Sequence, residues 1–230
     1  MKRYSILLTL CLMLMCCKSN PAPAGQSNND DTPGLKYLAL GDSYTIGESV
    51  TIAERWPVIL AKDLTNAGKS VKNPEIIALT GWTTRDLLNA LENHKPSNQY
   101  DVVSLLIGVN NQYRGRDIEE YRKEFRELLL KSIGYASGAA SKVFVLSIPD
   151  WGVTPYGAGN REKIGAEIDN FNKVAKEECD REKVVFINIT DISRKALNDP
   201  AMLADDKLHY SGKMHQLWVN EALPKVKSLL

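Results

Sequence analysis

Short apolar runs alternate with amphipathic stretches along this chain from about residue 36 onward. Runs typical of buried strands span residues 36–41, 75–79, 101–107, 142–148 and 183–188. Stretches with helical spacing of apolar residues span about 55–66, 84–93, 117–135, 161–180 and 212–229. Alternation of this kind is typical of βαβ units, in which helices cover both faces of a parallel sheet. The sequence therefore predicts an α/β fold, a single three-layer α/β/α domain around a five-stranded parallel sheet.

The N-terminal segment has the pattern of an export signal. Lys2 and Arg3 precede an apolar stretch over 6–15, which is too short to span a bilayer and is typical of a signal peptide. The string Leu14-Met15-Cys16-Cys17 is similar to a bacterial lipobox, with a leucine three residues before the second cysteine and a small residue directly before it. This pattern predicts diacylation of Cys17.

These features divide the chain into three parts. We expect a lipoprotein signal peptide over 1–16, a flexible Pro- and Gly-rich tether over 17–34 and one folded domain over 35–230. The protein would then be exported to the cell envelope and held to a bacterial membrane by the lipid on Cys17. An ordinary secretory signal peptide, with no lipid, is the alternative interpretation.

The charge balance argues against nucleic acid and acidic lipid as binding partners, and the cysteine positions suggest a packing role for Cys179. The chain carries 29 Lys and Arg residues against 28 Asp and Glu residues, so no net field attracts nucleic acid or acidic lipid. Membrane contact is therefore expected only through the N-terminal lipid anchor. Cys179 is the one cysteine beyond the N-terminal segment, and its place on a helical pattern predicts a packed small hydrophobe.

The tripeptide Gly41-Asp42-Ser43 follows the first strand-like run. A glycine there permits a tight turn, and the turn would lift the Ser43 hydroxyl to the carboxyl edge of the sheet beside a helix N-terminus. Unpaired backbone N–H groups at that place favour developing negative charge. Ser43 is therefore a candidate nucleophile, while an ordinary turn with Ser43 as the helix N-cap is the alternative.

A serine nucleophile needs a base, and the string Asp206-Lys207-Leu208-His209 offers one with its acid partner. The other two histidines are weaker candidates. His94 ends a helical pattern, where a histidine favours the helix dipole, and His215 lies within the last amphipathic stretch with no carboxylate at a comparable spacing. The sequence therefore selects His209 as the base and Asp206 as the orienting acid.

Two further segments end strand-like runs at the same predicted edge. Gly81 follows the run over 75–79, and Asn110 follows the run over 101–107. Acyl transfer needs N–H donors directed at the developing oxyanion, and the backbone N–H groups of Ser43 and Gly81 with the side-chain amide of Asn110 would supply them. A plain turn glycine and an Asx-turn are the alternatives for Gly81 and Asn110.

Taken together, these segments resemble the SGNH, or GDSL-type, hydrolase superfamily. Its members carry an early Gly-Asp-Ser, a glycine in a second block, Gly-x-Asn-Asp in a third and Asp-x-x-His near the C-terminus. This chain has the matching strings Gly41-Asp42-Ser43, Gly81, Gly108-Val109-Asn110 and Asp206-Lys207-Leu208-His209. The resemblance covers about residues 36 to 229 and implies the flavodoxin-like strand order 2-1-3-4-5.

The resemblance also implies the site residues. Ser43 is the expected nucleophile, with His209 as base and Asp206 as acid, and Ser43, Gly81 and Asn110 form the expected oxyanion hole. Three positions depart from the family pattern: Tyr44 replaces the leucine of the GDSL name, Asn111 replaces the third-block aspartate, and Tyr210 replaces the proline that often follows the histidine. No catalytic group is lost, but the change at Asn111 alters the expected hydrogen bonding around the site.

Rival motifs are incomplete. Gly68-Lys69-Ser70 is similar to the end of a phosphate-binding loop, but Asp63 stands where the first glycine belongs and a helical pattern precedes the string. The nucleophile elbow Gly-x-Ser-x-Gly also fails, because Thr45 takes the place of its last glycine.

The expected activity is that of a serine esterase or acylhydrolase that works through an acyl-enzyme without metal or organic cofactor. An O-acetylated glycan or a small ester is the expected substrate, and Trp82, Tyr113 and Trp151 are candidates to line its pocket, although packing at the sheet end would equally place them there. A lysophospholipase or thioesterase is the alternative within the enzyme class. A non-catalytic binding lipoprotein that keeps the fold is the alternative of another class. We assume a monomer.

Overall fold

The computed structural model describes residues 33–230. Its centre is a five-stranded parallel sheet in the order β2-β1-β3-β4-β5. The strands are β1 (Tyr37–Gly41), β2 (Glu75–Ala78), β3 (Val102–Leu106), β4 (Val143–Leu146) and β5 (Val185–Ile187). The predicted fold class, strand number and strand order are confirmed, and each strand lies within its predicted run.

Helices flank the sheet. The longer ones are α2 (Trp56–Asn66), α3 (Thr84–His94), α5 (Ile118–Tyr135), α6 (Arg161–Glu182) and α8 (Gly212–Lys227). Three short helices, α1 (Ser43–Ile46), α4 (Val109–Tyr113) and α7 (Thr190–Ser193), follow strands β1, β3 and β5. Helix α2 packs against α8, whereas α5 packs against both α3 and α6. The sequence predicted the longer helices and gave no separate signal for α4 and α7, which are only a turn long.

Strand β1 has a neighbour on each side and therefore carries no exposed edge. It is buried throughout, as is its neighbour β3. This burial explains why both segments form continuous apolar runs rather than alternating ones. Parallel pairing sets Gly41 opposite Ala78 of β2 and opposite Leu106 of β3. The segments that follow these three strands must consequently leave the sheet side by side.

Capping side chains fix where helices α3 and α5 begin. Helix α3 begins with a capping box, in which the Thr83 hydroxyl bonds the backbone N–H of Asp86 while the Asp86 carboxylate accepts from Thr83. Asp117 is the N-cap of helix α5, and its carboxylate accepts the backbone N–H groups of Glu119 and Glu120, each at 2.9 Å. The apolar face of α5 packs in the core, with Tyr121 and Phe125 buried.

The rest of the described chain adds two observations. Cys179 is buried in the core, where burial raises the pKa of its thiol, in line with a packing role. Between residues 33 and 230, no helix is long and apolar enough to cross a membrane. The predicted signal peptide, Cys17 and nearly all of the predicted tether lie outside the residues that the structure describes.

Candidate active site

The carboxyl edge of the three central strands carries the candidate catalytic segments. Ser43 lies two residues after the end of β1, Gly81 three residues after β2 and Asn110 four residues after β3. Because β1 pairs with both neighbours in register, these residues leave one edge of the sheet on adjacent strands. This is the edge at which parallel α/β sheets bind ligands.

Ser43 sits at the start of α1 in a tight, buried turn. Asp42, not Ser43, is the N-cap, because its Oδ1 accepts the backbone N–H of Tyr44 at 3.1 Å. The turn requires glycine at position 41, where a Cβ atom would lie 2.1 Å from Thr45 Oγ1 and 2.4 Å from the Leu106 carbonyl. Burial raises the pKa of the Asp42 carboxyl to about 7. The ordinary N-cap interpretation of Ser43 is thus wrong.

Ser43 is buried, with 5% of the residue exposed. Within residues 33–230 its hydroxyl forms no hydrogen bond, and neither it nor the Ser43 backbone N–H is engaged by another group of that segment. Both therefore stay available to a ligand. Catalytic hydrogen bonds are often long in unliganded enzymes and tighten when substrate binds.

Asp206 and His209 form a short, direct pair. Asp206 Oδ2 lies 2.6 Å from His209 Nδ1, and Asp206 Oδ1 accepts the backbone N–H groups of Leu208 and His209, each at 2.9 Å. A carboxylate oxygen on Nδ1 leaves Nε2 as the ring nitrogen that can accept a proton. Burial opposes ionisation, but these bonds and one from the Ser49 hydroxyl hold the pKa of the Asp206 carboxyl well below its ordinary value.

The Asp206–His209 pair is carried on a closed turn. The Lys207 backbone N–H donates to the Ala204 carbonyl at 2.9 Å, and the Ala204 N–H donates to the His209 carbonyl at 2.8 Å. Tyr210, directly after the histidine, is buried, and its hydroxyl donates to the Asp150 carbonyl at 2.8 Å. The backbone of the turn is therefore fixed at both ends.

Two contacts join this turn to the Ser43 segment. The ring of His209 meets the ring of Tyr44, the residue after Ser43, with centroids 5.8 Å apart in an edge-on arrangement. Ser49 reaches Asp206 Oδ2 with its hydroxyl at 2.6 Å. The structure thus brings together the two segments that the sequence assigned to the nucleophile and to the base, which are separated by most of the chain.

Gly81 and Asn110 are held by a set of bonds between their loops. Gly81 has φ +86°, a conformation that favours glycine. Arg114 Nη2 donates to the Gly81 carbonyl at 2.6 Å, and Asn110 Nδ2 donates to the Trp82 carbonyl at 2.9 Å. Asn110 keeps a second amide proton, and the Gly81 N–H has no backbone partner among residues 33–230. Both remain free for an oxyanion.

A third bond braces the Gly81 loop from the other side. The Thr80 hydroxyl donates to the carboxylate of Glu48, which lies just after α1. Three consecutive residues of this loop are therefore each hydrogen-bonded to one of the two segments that carry Ser43 and Asn110. These residues are Thr80, Gly81 and Trp82. Such bracing preorganises N–H donors, which is what electrostatic stabilisation of an oxyanion requires.

Two of the three candidate pocket aromatics lie together. Trp151 Nε1 donates to Gln112 Oε1 at 2.8 Å, and Gln112 Nε2 donates to Glu167 at 2.7 Å, so the indole ring is fixed. The Tyr113 ring meets Trp151 edge-on with centroids 5.5 Å apart, and Tyr113 is 68% exposed. Trp82 instead packs partly buried against the core.

The two histidines that the sequence set aside have other partners. His94 ends α3 and pairs with Glu75 at 3.0 Å. His215 is buried in α8, where its Nδ1 donates to the Glu54 carbonyl at 2.9 Å. Burial lowers the pKa of His215 to about 4. Within residues 33–230, no group of three or more His, Cys, Asp or Glu side chains could hold a metal ion.

Sequence reasoning missed three residues of this site: Glu48, Ser49 and Arg114. Each is polar and lies within a few residues of a motif, but each bonds a segment that is distant in the chain. Nothing in the spacing of a single sequence marks such partners, apart from their nearness to Ser43 and Asn110.

Comparisons with known proteins identify the family and the fold. The model of the GDSL-like lipase/acylhydrolase family matches residues 39–217. No curated protein sequence matches the chain. Among solved structures, the acetylxylan esterase Axe2 from Geobacillus stearothermophilus has a TM-score of 0.62 at 20% identity, over 84% of this chain and 94% of its own.

Two other solved structures are similar to the same extent. The psychrotrophic esterase EstA from Pseudoalteromonas sp. has a TM-score of 0.60 at 18% identity and covers 84% of this chain and 97% of its own. A lipase/acylhydrolase from Enterococcus faecalis has a TM-score of 0.61 at 21% identity and covers 84% of this chain and 96% of its own. At these identities the likeness to solved structures concerns the fold.

Proposed function

Because this chain belongs to the GDSL-like lipase/acylhydrolase family and is a hydrolase of ester bonds, we propose that it is a serine esterase with a Ser43-His209-Asp206 triad. The observation that carries the proposal is the 2.6 Å bond between Asp206 Oδ2 and His209 Nδ1. It fixes the imidazole so that Nε2 is the basic nitrogen, and it stabilises the imidazolium that forms when that nitrogen takes a proton.

In the proposed mechanism, the Ser43 hydroxyl attacks the ester carbonyl carbon while His209 Nε2 takes its proton. The negative charge that develops on the carbonyl oxygen is stabilised by the N–H groups of Ser43 and Gly81 and by the free amide proton of Asn110. His209 then protonates the leaving alcohol, and an acyl-Ser43 ester remains. Water, activated by His209, attacks this ester and releases the acid.

We propose an O-acetylated glycan or a small ester as the substrate. The support is the exposed Tyr113 ring beside the fixed Trp151, on the strand-exit segments that flank the candidate site. Flat aromatic faces pack against the apolar faces of sugar rings. The acetylxylan esterase and the other esterase with a similar fold hydrolyse esters according to their names.

A substrate panel tests the proposal. p-Nitrophenyl acetate, butyrate and octanoate would be compared with acetylated xylan, lysophosphatidylcholine and an acyl thioester, using wild type and Ser43→Ala. We expect hydrolysis of the short esters and of acetylated xylan, lost in Ser43→Ala, and labelling of wild type alone by a fluorophosphonate. Preference for lysophosphatidylcholine or the thioester would replace the proposed substrate class. Equal turnover by Ser43→Ala would overturn the triad.

A further inference from the structure

The Ser49 hydroxyl joins the two halves of the candidate triad. It donates to Asp206 Oδ2 at 2.6 Å, across 157 residues of sequence. The same carboxylate oxygen receives His209 Nδ1 at 2.6 Å, so Ser49 and His209 share one acceptor atom. A carboxylate bonded on one oxygen by both groups has a fixed rotation as well as a fixed position.

Ser49 is in turn tied to the nucleophile. The backbone N–H groups of Gly47 and Glu48 both donate to the Ser43 carbonyl at 3.0 Å, so the loop that carries Ser49 is bonded to the nucleophile's own peptide. Through these bonds and the peptide link from Glu48 to Ser49, Ser43 is connected to Asp206 and His209. This connection links the segment of Ser43 to the segment of His209, and the distance between these two side chains must be held for proton transfer.

The backbone of Ser49 is unusual. Its φ is +64°, in the left-handed region that residues with a Cβ atom rarely adopt. Strained conformations of this kind persist where the surroundings fix them, and they cluster at functional sites. In this conformation the Ser49 hydroxyl reaches Asp206, so the strained backbone serves to place that hydroxyl.

We propose that Ser49 is a positioning residue of the active site, which orients the Asp206 carboxylate and sets the place of His209 relative to Ser43. The inference rests on the proposed function, because it assigns Ser49 a role in the reaction proposed for the triad. Ser49 acts through Asp206 and contacts neither substrate nor reacting atoms. Loss of its hydroxyl therefore lowers kcat and leaves KM nearly unchanged.

Other titratable groups also lie near the Asp206–His209 pair. Tyr44 of α1 and buried His215 of α8 interact with the pair, and Asp205 and Lys207 lie on the same turn. None of them donates a hydrogen bond to the Asp206 carboxylate in residues 33–230. Among residues 33–230, Ser49 is therefore the side chain besides His209 that bonds the Asp206 carboxylate, and its loss is the change that tests the inference.

Two substitutions separate the hydroxyl from the backbone strain. Ser49→Ala removes the hydroxyl and keeps the strain, whereas Ser49→Gly removes both. Ser137 supplies the matched control, because it is an exposed serine with φ +58° whose hydroxyl donates to the Asn98 carbonyl at 3.0 Å, away from the candidate site. The same two substitutions would be made there, and all variants assayed in full-length protein with p-nitrophenyl acetate.

We expect Ser49→Ala and Ser49→Gly to lower kcat equally, by about tenfold, with KM within about twofold of wild type. Ser49→Gly should unfold at a higher temperature than Ser49→Ala, so stability follows the backbone while activity follows the hydroxyl. The Ser137 variants should keep the wild-type kcat and KM.

Three results would overturn the inference: a kcat for Ser49→Ala within about twofold of wild type while Ser43→Ala is inactive, an equal loss in the Ser137 variants, or a change in KM alone. Failure of the proposed function looks different. In that case wild type itself shows no turnover that depends on Ser43, and both proposals fall together.

Discussion

Asn111 and Thr84 exchange two hydrogen bonds at the buried base of the candidate site. The Thr84 backbone N–H donates to Asn111 Oδ1 at 3.0 Å, and Asn111 Nδ2 donates to Thr84 Oγ1 at 2.7 Å. The Thr84 hydroxyl in turn donates to the buried carboxylate of Glu124, which Arg85 also contacts at 2.9 Å. The side-chain protons therefore run in one direction, from the Asn111 amide to Thr84 Oγ1 and from the Thr84 hydroxyl to Glu124.

This direction explains why an asparagine replaces the aspartate expected from the family pattern. In Asn111→Asp, a carboxylate oxygen would face Thr84 Oγ1 while the hydroxyl proton is held by Glu124, and two buried carboxylates would compete for one proton. We expect the free energy of unfolding to fall by about 3 kcal/mol. Urea unfolding at neutral pH measures it, with the exposed Asn89→Asp on α3 as the control.

A second substitution should restore the stability. When Asn111→Asp is combined with Glu124→Gln, the glutamine amide donates to Thr84 Oγ1, and the hydroxyl proton of Thr84 turns to the carboxylate introduced at position 111. The glutamine oxygen keeps its bond from Arg85. A double-mutant cycle should therefore give a favourable coupling of about 2 kcal/mol. Additive losses in the double variant would contradict the proposed proton order.

The proposed triad acid, Asp206, can be distinguished experimentally from the adjacent Asp205. Asp206 bonds His209, whereas the adjacent Asp205 is exposed. Asp206→Asn should lower kcat by roughly a thousandfold, less than Ser43→Ala does, because the amide favours the wrong tautomer of the base. Asp205→Asn should change kcat less than about twofold. Steady-state kinetics on p-nitrophenyl acetate measures both variants. A large loss of kcat in Asp205→Asn with little loss in Asp206→Asn would reverse the assignment.

Asn110 is expected to act in the transition state. Its free amide proton would bond the oxyanion more strongly than the ground-state carbonyl, so Asn110→Ala should lower kcat by about a hundredfold and leave KM nearly unchanged. Arg114→Met removes the bond to the Gly81 carbonyl but no proposed oxyanion donor, so its loss should be smaller, about threefold to tenfold. A raised KM with normal kcat in Asn110→Ala would make it a substrate-binding residue.

The buried His215 should make stability depend on pH. Burial lowers its pKa from 6.5 to about 4, so between these values the unfolded chain binds a proton that the folded protein does not. Stability therefore falls as the pH falls through this window, by roughly 2–3 kcal/mol at about pH 4.5. His215→Gln should lose less stability between about pH 7 and pH 4.5.

Asp42 titrates with the opposite sign, because burial raises its pKa to about 7 and its contribution to stability is lost as the pH rises through that value. It is present in both proteins and cancels in the difference between wild type and His215→Gln. Parallel plots of unfolding free energy against pH for the two proteins would refute the prediction.

The lipid anchor is a separate prediction. Full-length protein expressed in a Gram-negative cell should fractionate with membranes and incorporate labelled palmitate, because several acyl chains hold a protein firmly where one does not. Cys17→Ser should abolish the label, and Cys16→Ser should retain it, since a small residue still precedes Cys17. A soluble periplasmic protein with an unmodified N-terminus would exclude the anchor and leave the esterase proposal intact.

The fold could be predicted from the sequence because its determinants are local and strong. Strands β1 and β3 are buried on both faces, so they form uninterrupted apolar runs, and Thr83 and Asp117 mark helix starts by their own caps. Boundaries were less accurate for the shortest strand, β5, whose first two residues are half-buried. The strand order came from the family resemblance, since periodicity does not determine which strands pair.

The candidate site could be predicted only where a motif names its residues. The spacing of Asp206 and His209 suffices for their bond, because both lie on one turn. The bonds from Ser49 to Asp206 and from Arg114 to Gly81 depend on how separate segments meet at the sheet edge. The same holds for the proton order through Thr84, which is set by a glutamate on another helix.

The closed turn between Ala204 and His209 has a consequence for motion during turnover. Acid, base and most of the bonds that join them belong to one short segment, so any displacement of that segment moves the two side chains as a rigid body. Such a displacement changes the separation of His209 from Ser43 but leaves the imidazole aligned. In the proposed mechanism, His209 would therefore keep the tautomer with a free Nε2 from one substrate to the next.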